Sequence, residues 1–178
     1  MYYDFHVHSD FSSDSHTPME TMIQQGIRLG LPGLCFTEHM DLDFPGEELS
    51  FLTDLPSYKE KFLELKERYQ GQIELFYGPE LGMQPHLLKE LPALADSDNF
   101  DFLIGSAHII DRMDPYDKLY FQGRSEQESY LRYFDFWRTS KPFPVLTPAV
   151  MWIMWFDTVQ IQTDFILILL TVTSWMRF

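Results

Sequence analysis

Near the start of the chain, Asp4-Phe5-His6-Val7-His8-Ser9 is followed at once by Asp10, Asp14 and His16. The apolar run from Tyr2 to Val7 reads as a short buried strand. Side chains alternate along a strand, so His6 and His8 leave it on the same side. Two imidazoles on one side of a strand end, with carboxylates close by, are a donor set for a divalent cation such as zinc, iron or manganese. A chance His-x-His is the bland alternative, and the rest of the chain decides between them.

Three further stretches carry residues of the same kind. Gly33-Leu34-Cys35-Phe36-Thr37 reads as a strand that ends in Glu38-His39-Met40-Asp41. Ile73 to Tyr77 reads as another, leaving through Gly78-Pro79 to Glu80. Phe100 to Ile104 reads as a fourth, ending in Gly105-Ser106-Ala107-His108. Between them lie helical patterns. Pro18 sits at the first helical position after a candidate cap at Thr17, and Met19, Met22, Ile23 and Ile27 recur at helical spacing. Ser57 to Tyr69 is amphipathic, Pro85 to Leu94 is a short helix, and a last helix runs from near Ser125 to about Phe136.

Strand, helix, strand, helix is the order of a parallel α/β sheet or barrel. In such folds every strand delivers its last residues to one edge, where functional groups collect. Four successive strands here end in ligand-type residues: His6 and His8, then Glu38 and His39, then Glu80, then His108. Packing alone does not produce that coincidence. Glu80, placed between histidine-bearing strands, has two oxygens with which to bridge two cations. Asp14 joins the candidate ligands, its bland alternative being a loop turn before the helix. Glu38, Asp41 and Asp10 are candidates to orient ligand imidazoles from behind. His16 and His86 read as surface histidines, and Arg112 and Arg124 as solvated surface.

Composition narrows the function classes. A net charge of −14 argues against a nucleic-acid-binding surface, which needs clustered Lys and Arg. It does not favour an anionic substrate either, unless bound cations supply the positive charge. Cys35 is the single cysteine, so no internal disulfide forms and a reducing, cytoplasmic setting is the expectation. The N-terminus shows no signal-peptide pattern. A length of 178 residues suits one domain.

As a set and in this order, Asp4-Phe5-His6-Val7-His8-Ser9-Asp10-Phe11-Ser12, Phe36-Thr37-Glu38-His39, Gly78-Pro79-Glu80-Leu81-Gly82-Met83-Gln84-Pro85-His86 and Gly105-Ser106-Ala107-His108 resemble the polymerase and histidinol phosphatase (PHP) superfamily. Gln84-Pro85-His86 favours its histidinol-phosphatase branch. The resemblance covers roughly residues 1–136. It implies the N-terminal part of a distorted parallel (β/α) TIM-like barrel, incomplete at the C-terminus, and a cluster of up to three divalent metals. By resemblance, His6 and His8 bind one metal with Glu80, Glu80 and His108 a second, and Asp14 and His39 a third. The implied reaction is metal-assisted hydrolysis of a phosphate monoester, histidinol phosphate, in histidine biosynthesis. The runners-up are a PHP phosphoesterase for another small phosphate ester and a non-catalytic metal-binding module. Neither a nucleic-acid nor a membrane partner is expected, and the oligomeric state is left open.

The resemblance also calls for a later Gly-His-x-Asp strand, an arginine for the phosphate and a closing Asp-x-His, and no histidine follows His108. The composition changes in that region. From Lys141 to Phe178 the only charged residues are Lys141, Asp157, Asp164 and Arg177. Its apolar runs fall short of the ~20 residues of a membrane span and hold no helix or strand period. Met and Trp have single codons, so Met151-Trp152-Ile153-Met154-Trp155 fixes most of its nucleotides. Read one nucleotide earlier, the stretch permits Gly-His-Val-Asp-Tyr-Val-Val-Arg-Tyr-Gly-Pro-Asn, the missing strand with its arginine. Residues 137–178 therefore read as an out-of-frame tail after a frameshift between about Asp135 and Lys141. Such a segment carries no selected pattern and is expected to supply no native element. A chain so truncated is expected to be inactive or nearly so.

Overall fold

The computed structural model describes residues 2–46, 51–87, 89–139 and 150–153. The elements run β1 (Asp4–Val7), α1 (Met19–Arg28), β2 (Gly33–Met40), α2 (Leu55–Arg68), β3 (Glu74–Gly82), α3 (Glu90–Ala95), β4 (Leu103–Ser106), α4 (Glu126–Thr139) and β5 (Val150–Ile153). All strands are parallel, and their order across the sheet equals their order along the chain. A doubly wound sheet reverses direction part-way, whereas unbroken sequential order is the winding of a barrel. The sheet is thus part of an incomplete TIM-like barrel.

Alternation assigns the two faces. Leu34 and Phe36 of β2 and Leu75 and Tyr77 of β3 point outward. With Val7 they form the main core against Met19 and Ile23 of α1 and Tyr58, Phe62 and Leu65 of α2. The Tyr58 hydroxyl donates to the carbonyls of Phe36 and Gly78 at 2.9 and 3.0 Å, tying α2 to two strands. A second core lies under α3 (Met40, Leu81, Leu91, Ala95) and a third under α4 (Ala107, Ile110, Tyr120, Tyr133, Phe136). Ser125 and Glu128 form a capping box at the start of α4: the Ser125 N–H donates to Glu128 Oε2 at 2.8 Å, and the Glu128 N–H to Ser125 Oγ at 3.3 Å.

Several boundaries differ from the sequence reading. β2 continues through Glu38 and His39 to Met40, and β3 continues through Gly78-Pro79-Glu80 to Gly82. Gly78-Pro79 is therefore no exit from a strand. α1 has Pro18 at its cap position rather than Thr17, with no side-chain cap of its own. The Asp10 carboxylate fills that role from the preceding loop, accepting from the Met19 N–H at 3.3 Å. The helix expected over Pro85 to Leu94 divides into a 3-10 turn, Pro85–Leu87, and α3.

The tail, expected to hold no native element, contributes β5, which pairs in register with β4 from Leu103↔Val150 to Ser106↔Ile153. The open edge of β4 accounts for this. Unpaired strand edges recruit any strand-prone segment, and Val-Met-Trp-Ile is one. The rest of the tail lies outside the described residues. Among the described residues no helix is long and apolar enough to cross a membrane.

Candidate metal centre

The inward face of the sheet carries Thr37 and His39 on β2 and Glu80 on β3, with His39 and Glu80 in direct register. His6 and His8 approach from β1, and His108 from the loop just past β4. Asp14 comes from the loop between β1 and α1. These six residues form three overlapping groups: His6, His8 and Glu80; His8, Asp14 and His39; and His39, Glu80 and His108. In each group the ligand atoms lie within 4.8 Å of one another. All six sequence-predicted ligands thus converge on one site. The grouping differs from the one the resemblance implied in two respects: His8 also faces Asp14, and His39 also faces Glu80.

Glu80 sits at the centre, 1% exposed. Its Oε2 lies 3.1 Å from His8 Nε2 and 3.5 Å from His39 Nδ1, and its Oε1 lies 3.2 Å from His108 Nε2 and 3.8 Å from His6 Nε2. The Ser106 hydroxyl donates to Oε1 at 2.5 Å. Asp14, the most exposed of the six, lies 3.3 Å from both His8 Nδ1 and His39 Nε2.

Behind these groups stand residues that fix ring orientation. Asp41, 1% exposed, places Oδ2 3.0 Å from His39 Nδ1 and Oδ1 2.6 Å from His108 Nδ1. One carboxylate thereby orients two imidazoles and turns both Nε2 atoms into the site. Gly82 makes room for it, because a Cβ there would lie 2.0 Å from Asp41 Oδ1. Thr37 Oγ1 lies 3.2 Å from His6 Nδ1, again leaving Nε2 inward.

Glu38 and Asp10 do not touch an imidazole, contrary to the sequence expectation. Alternation puts Glu38 on the face opposite His39, where it binds the loop after β1, and Asp10 caps α1. His86 and His16 lie outside the three groups, as expected. His86 Nε2 is 2.7 Å from Asp43, which also pairs with Arg112 at 3.0 Å. Arg124 lies over the Tyr120 ring and donates to the Tyr120 carbonyl. The sequence reading missed Thr37 and Ser106. Their signal was available, since each lies two residues before a ligand, Thr37 before His39 on β2 and Ser106 at the end of β4 before His108.

The electrostatics suit a cation. Burial works against a charged His8 ring, but the Asp14 and Glu80 carboxylates outweigh it and raise its pKa to about 9. His39 and His108 are also raised, against the cost of burial, by Asp14 and Asp41 and by Asp41 and Glu80 respectively. Burial opposes ionisation of Glu80, yet His108 and His8 hold its carboxyl well below the usual range. Asp14 is lowered by His39 and His8. His6 moves the other way, lowered by burial despite Glu80. Protons on the other rings therefore stand where positive charge is wanted. Among the described residues two buried polar atoms make no hydrogen bond of good geometry, His8 Nε2 and Glu80 Oε2, which lie 3.1 Å apart. A divalent cation bound here would take the place of the ring proton and supply the positive charge between these two atoms. Imidazole nitrogen with carboxylate oxygen is the donor set such ions take.

Comparison with known proteins agrees with this geometry. A family model described as the PHP domain matches residues 4–149. The chain belongs to the PHP domain family. It is 36% identical over 132 residues to the histidinol-phosphatase of Lactococcus lactis subsp. lactis (strain IL1403), a match covering 72% of this chain and 48% of that one. It is 30% identical over 136 residues to the probable histidinol-phosphatase of Clostridium acetobutylicum, covering 75% and 50%. These relatives put it in the family's histidinol-phosphatase branch. A solved structure of the Lactococcus lactis histidinol phosphate phosphatase, complexed with zinc, L-histidinol and phosphate, superposes with a TM-score of 0.72 at 32% identity, covering 75% of this chain and 51% of that one. A putative histidinol phosphatase from Listeria monocytogenes shares the fold with a TM-score of 0.64 at 20% identity, covering 75% and 59%. The chain spans about half the length of the curated relatives it matches.

Proposed function

We propose that this chain is the N-terminal half of a divalent-metal-dependent phosphate monoester hydrolase, with histidinol phosphate as the substrate of the whole protein. The convergence of His6, His8, Asp14, His39, Glu80 and His108 in three overlapping ligand groups carries the reading. Up to three zinc, iron or manganese ions are the expected occupants. When bound, such ions supply Lewis-acid stabilisation of phosphoryl oxygens and an acidified water.

The chain's own residues do the rest. His6, His8 and Glu80 would hold one position, Asp14 with His39 a second, and Glu80 with His108 a third. Asp41 and Thr37 keep Nε2 of His39, His108 and His6 turned inward, and Ser106 fixes the Glu80 carboxylate. With a net charge of −14 the protein has no general attraction for a phosphate ester, so recognition falls to the cations at the site. That the Lactococcus relative was crystallised with zinc, L-histidinol and phosphate supports this substrate class. A cytoplasmic setting fits the single buried cysteine.

Residues beyond about 136 read as an out-of-frame tail, and the 178-residue chain is accordingly inactive or nearly so. The permitted Gly-His-Val-Asp falls on the positions of β5, the place the next barrel strand takes. Resequencing the codons for Asp135 to Lys141 in the source DNA decides the matter. A clean read in the present frame, with relatives sharing the tail, would overturn it. The functional test compares phosphate release from histidinol phosphate, and from a panel of other small phosphate esters, by the 178-residue chain and by a frame-restored protein. Activity is expected only in the restored protein and highest on histidinol phosphate. Equal activity in both removes the truncation reading, and preference for another ester removes the substrate.

A further inference from the structure

We infer that Glu38 is a positioning residue that sets the loop between β1 and α1, and through it the His8–Asp14–His39 ligand group, without touching that group itself. The inference rests on the metal-site reading above and deepens it.

The observation is a buried carboxylate that, among the described residues, has no cationic side chain to pair with. Glu38 is 0% exposed, and its side chain leaves β2 on the face opposite His39. A buried carboxylate is costly unless donors surround it. Here all of them come from one short segment. The Ser9 N–H reaches Oε1 at 3.0 Å and Oε2 at 3.1 Å. The Ser9 hydroxyl donates to Oε1 and the Ser12 hydroxyl to Oε2, each at 2.5 Å. Ser12 Oγ in turn accepts from the His39 N–H at 3.0 Å. Ser9 and Ser12 are themselves 0% and 2% exposed.

Three segments are joined by this arrangement: the exit of β1 directly after His8, the loop two residues before Asp14, and β2 at His39. Those three positions are the second ligand group. Asp14 is the most exposed of the six ligands and, among the described residues, is held at its side chain by His8 and His39 alone, so the placement of its backbone depends on the loop. The other two groups each share one ligand with it, His8 or His39, and take the rest from β1, β3 and the segment after β4, so a change at Glu38 reaches them only through those shared histidines. A carboxylate accepts at every lone pair, which is what Ser9 N–H and two hydroxyls require. Glutamine keeps the shape but replaces one acceptor by an NH2 group facing donors. The Glu38→Gln change therefore frees the loop without opening a cavity.

The test uses the 178-residue chain and its Glu38→Gln and Ser12→Ala variants. Metal-free hydrogen–deuterium exchange reports the loop, and calorimetric titration with Mn2+ or Zn2+ reports the ligand groups. Glu38→Gln is expected to raise exchange at the Ser9 and Ser12 amides while leaving α2 and β3 unchanged. It is also expected to weaken one class of cation site by about 10–100-fold, the range for outer-shell partners of metal ligands, and the others by less. Ser12→Ala shifts both readouts in the same direction by less. Unchanged exchange in the loop overturns the inference, as does a uniform loss of all cation classes together with the far-UV circular dichroism, which marks a general folding role. If the parent chain binds no cation, the metal-site reading fails. In that case the exchange data still decide whether Glu38 holds the loop.

Discussion

Asp41 gives each of its two oxygens to a different histidine, His39 on β2 and His108 beyond β4. Asn in its place offers one acceptor and one NH2 group, so one ring loses its partner and is free to turn. Asp41→Asn is expected to lower Zn2+ affinity by about 10–100-fold, measured by calorimetry with circular dichroism as the folding control. Unchanged affinity would mean that the rings are fixed by packing alone. Cys35 gives a second residue-level expectation, on pH. Burial raises its thiol to about 12, from 9.0, with Asp101 and Asp4 adding to the shift. The folded state thus keeps a proton that the unfolded chain gives up above about pH 8.5–9. By linkage, its contribution to stability is complete below that pH and declines as pH rises toward 12. At pH 8 the native thiol is expected to react with a disulfide reagent far more slowly than the same chain in denaturant. Equal rates would show that the strand opens readily.

Strand length decided which roles the sequence disclosed. His6, His8, His39, Glu80 and His108 were legible because ligand-type residues recurred at four successive strand ends. Glu38 was misread because β2 was ended at Thr37. Once the strand runs to Met40, period-two alternation sends Glu38 away from His39, and no imidazole is within its reach. Asp10 was misread for another reason: the first turn of α1 lacks a cap of its own, and nothing local says that a loop eight residues earlier supplies one. The same lengthening placed Gly78 inside β3, where a Cβ would lie 2.0 Å from the Phe102 carbonyl oxygen. That neighbour is backbone and cannot swing aside. Gly78→Ala is expected to destabilise the fold by ~1–3 kcal/mol, the range for overpacking, read as a lower urea midpoint with unchanged slope. An alanine variant of parental stability would show that β3 and the Phe102 segment separate without cost.

A barrel protects its sheet by closing, and this chain presents the sheet without closure among its described residues. β1 lies at one border of the sheet order. The β1 register shifts between Asp4 and Val7, so on the inner side below the ligands Phe5 packs against Phe76 and Phe102 with ring centroids 5.3 and 5.0 Å apart, all three only half-buried. An open strand edge beside a partly exposed aromatic layer favours self-association. The charge of −14 opposes it, because two copies repel one another. The balance depends on salt, since screening reaches only ~10 Å at 0.1 M ionic strength and ~3 Å at 1 M. The purified chain is therefore expected to sediment mainly as a monomer at low ionic strength and to associate as salt is raised. Phe5→Lys should suppress that association by placing a charge in the aromatic layer. A sedimentation coefficient that does not change with salt would show that the inner face is already covered, in which case the Phe5→Lys chain should lose stability rather than association.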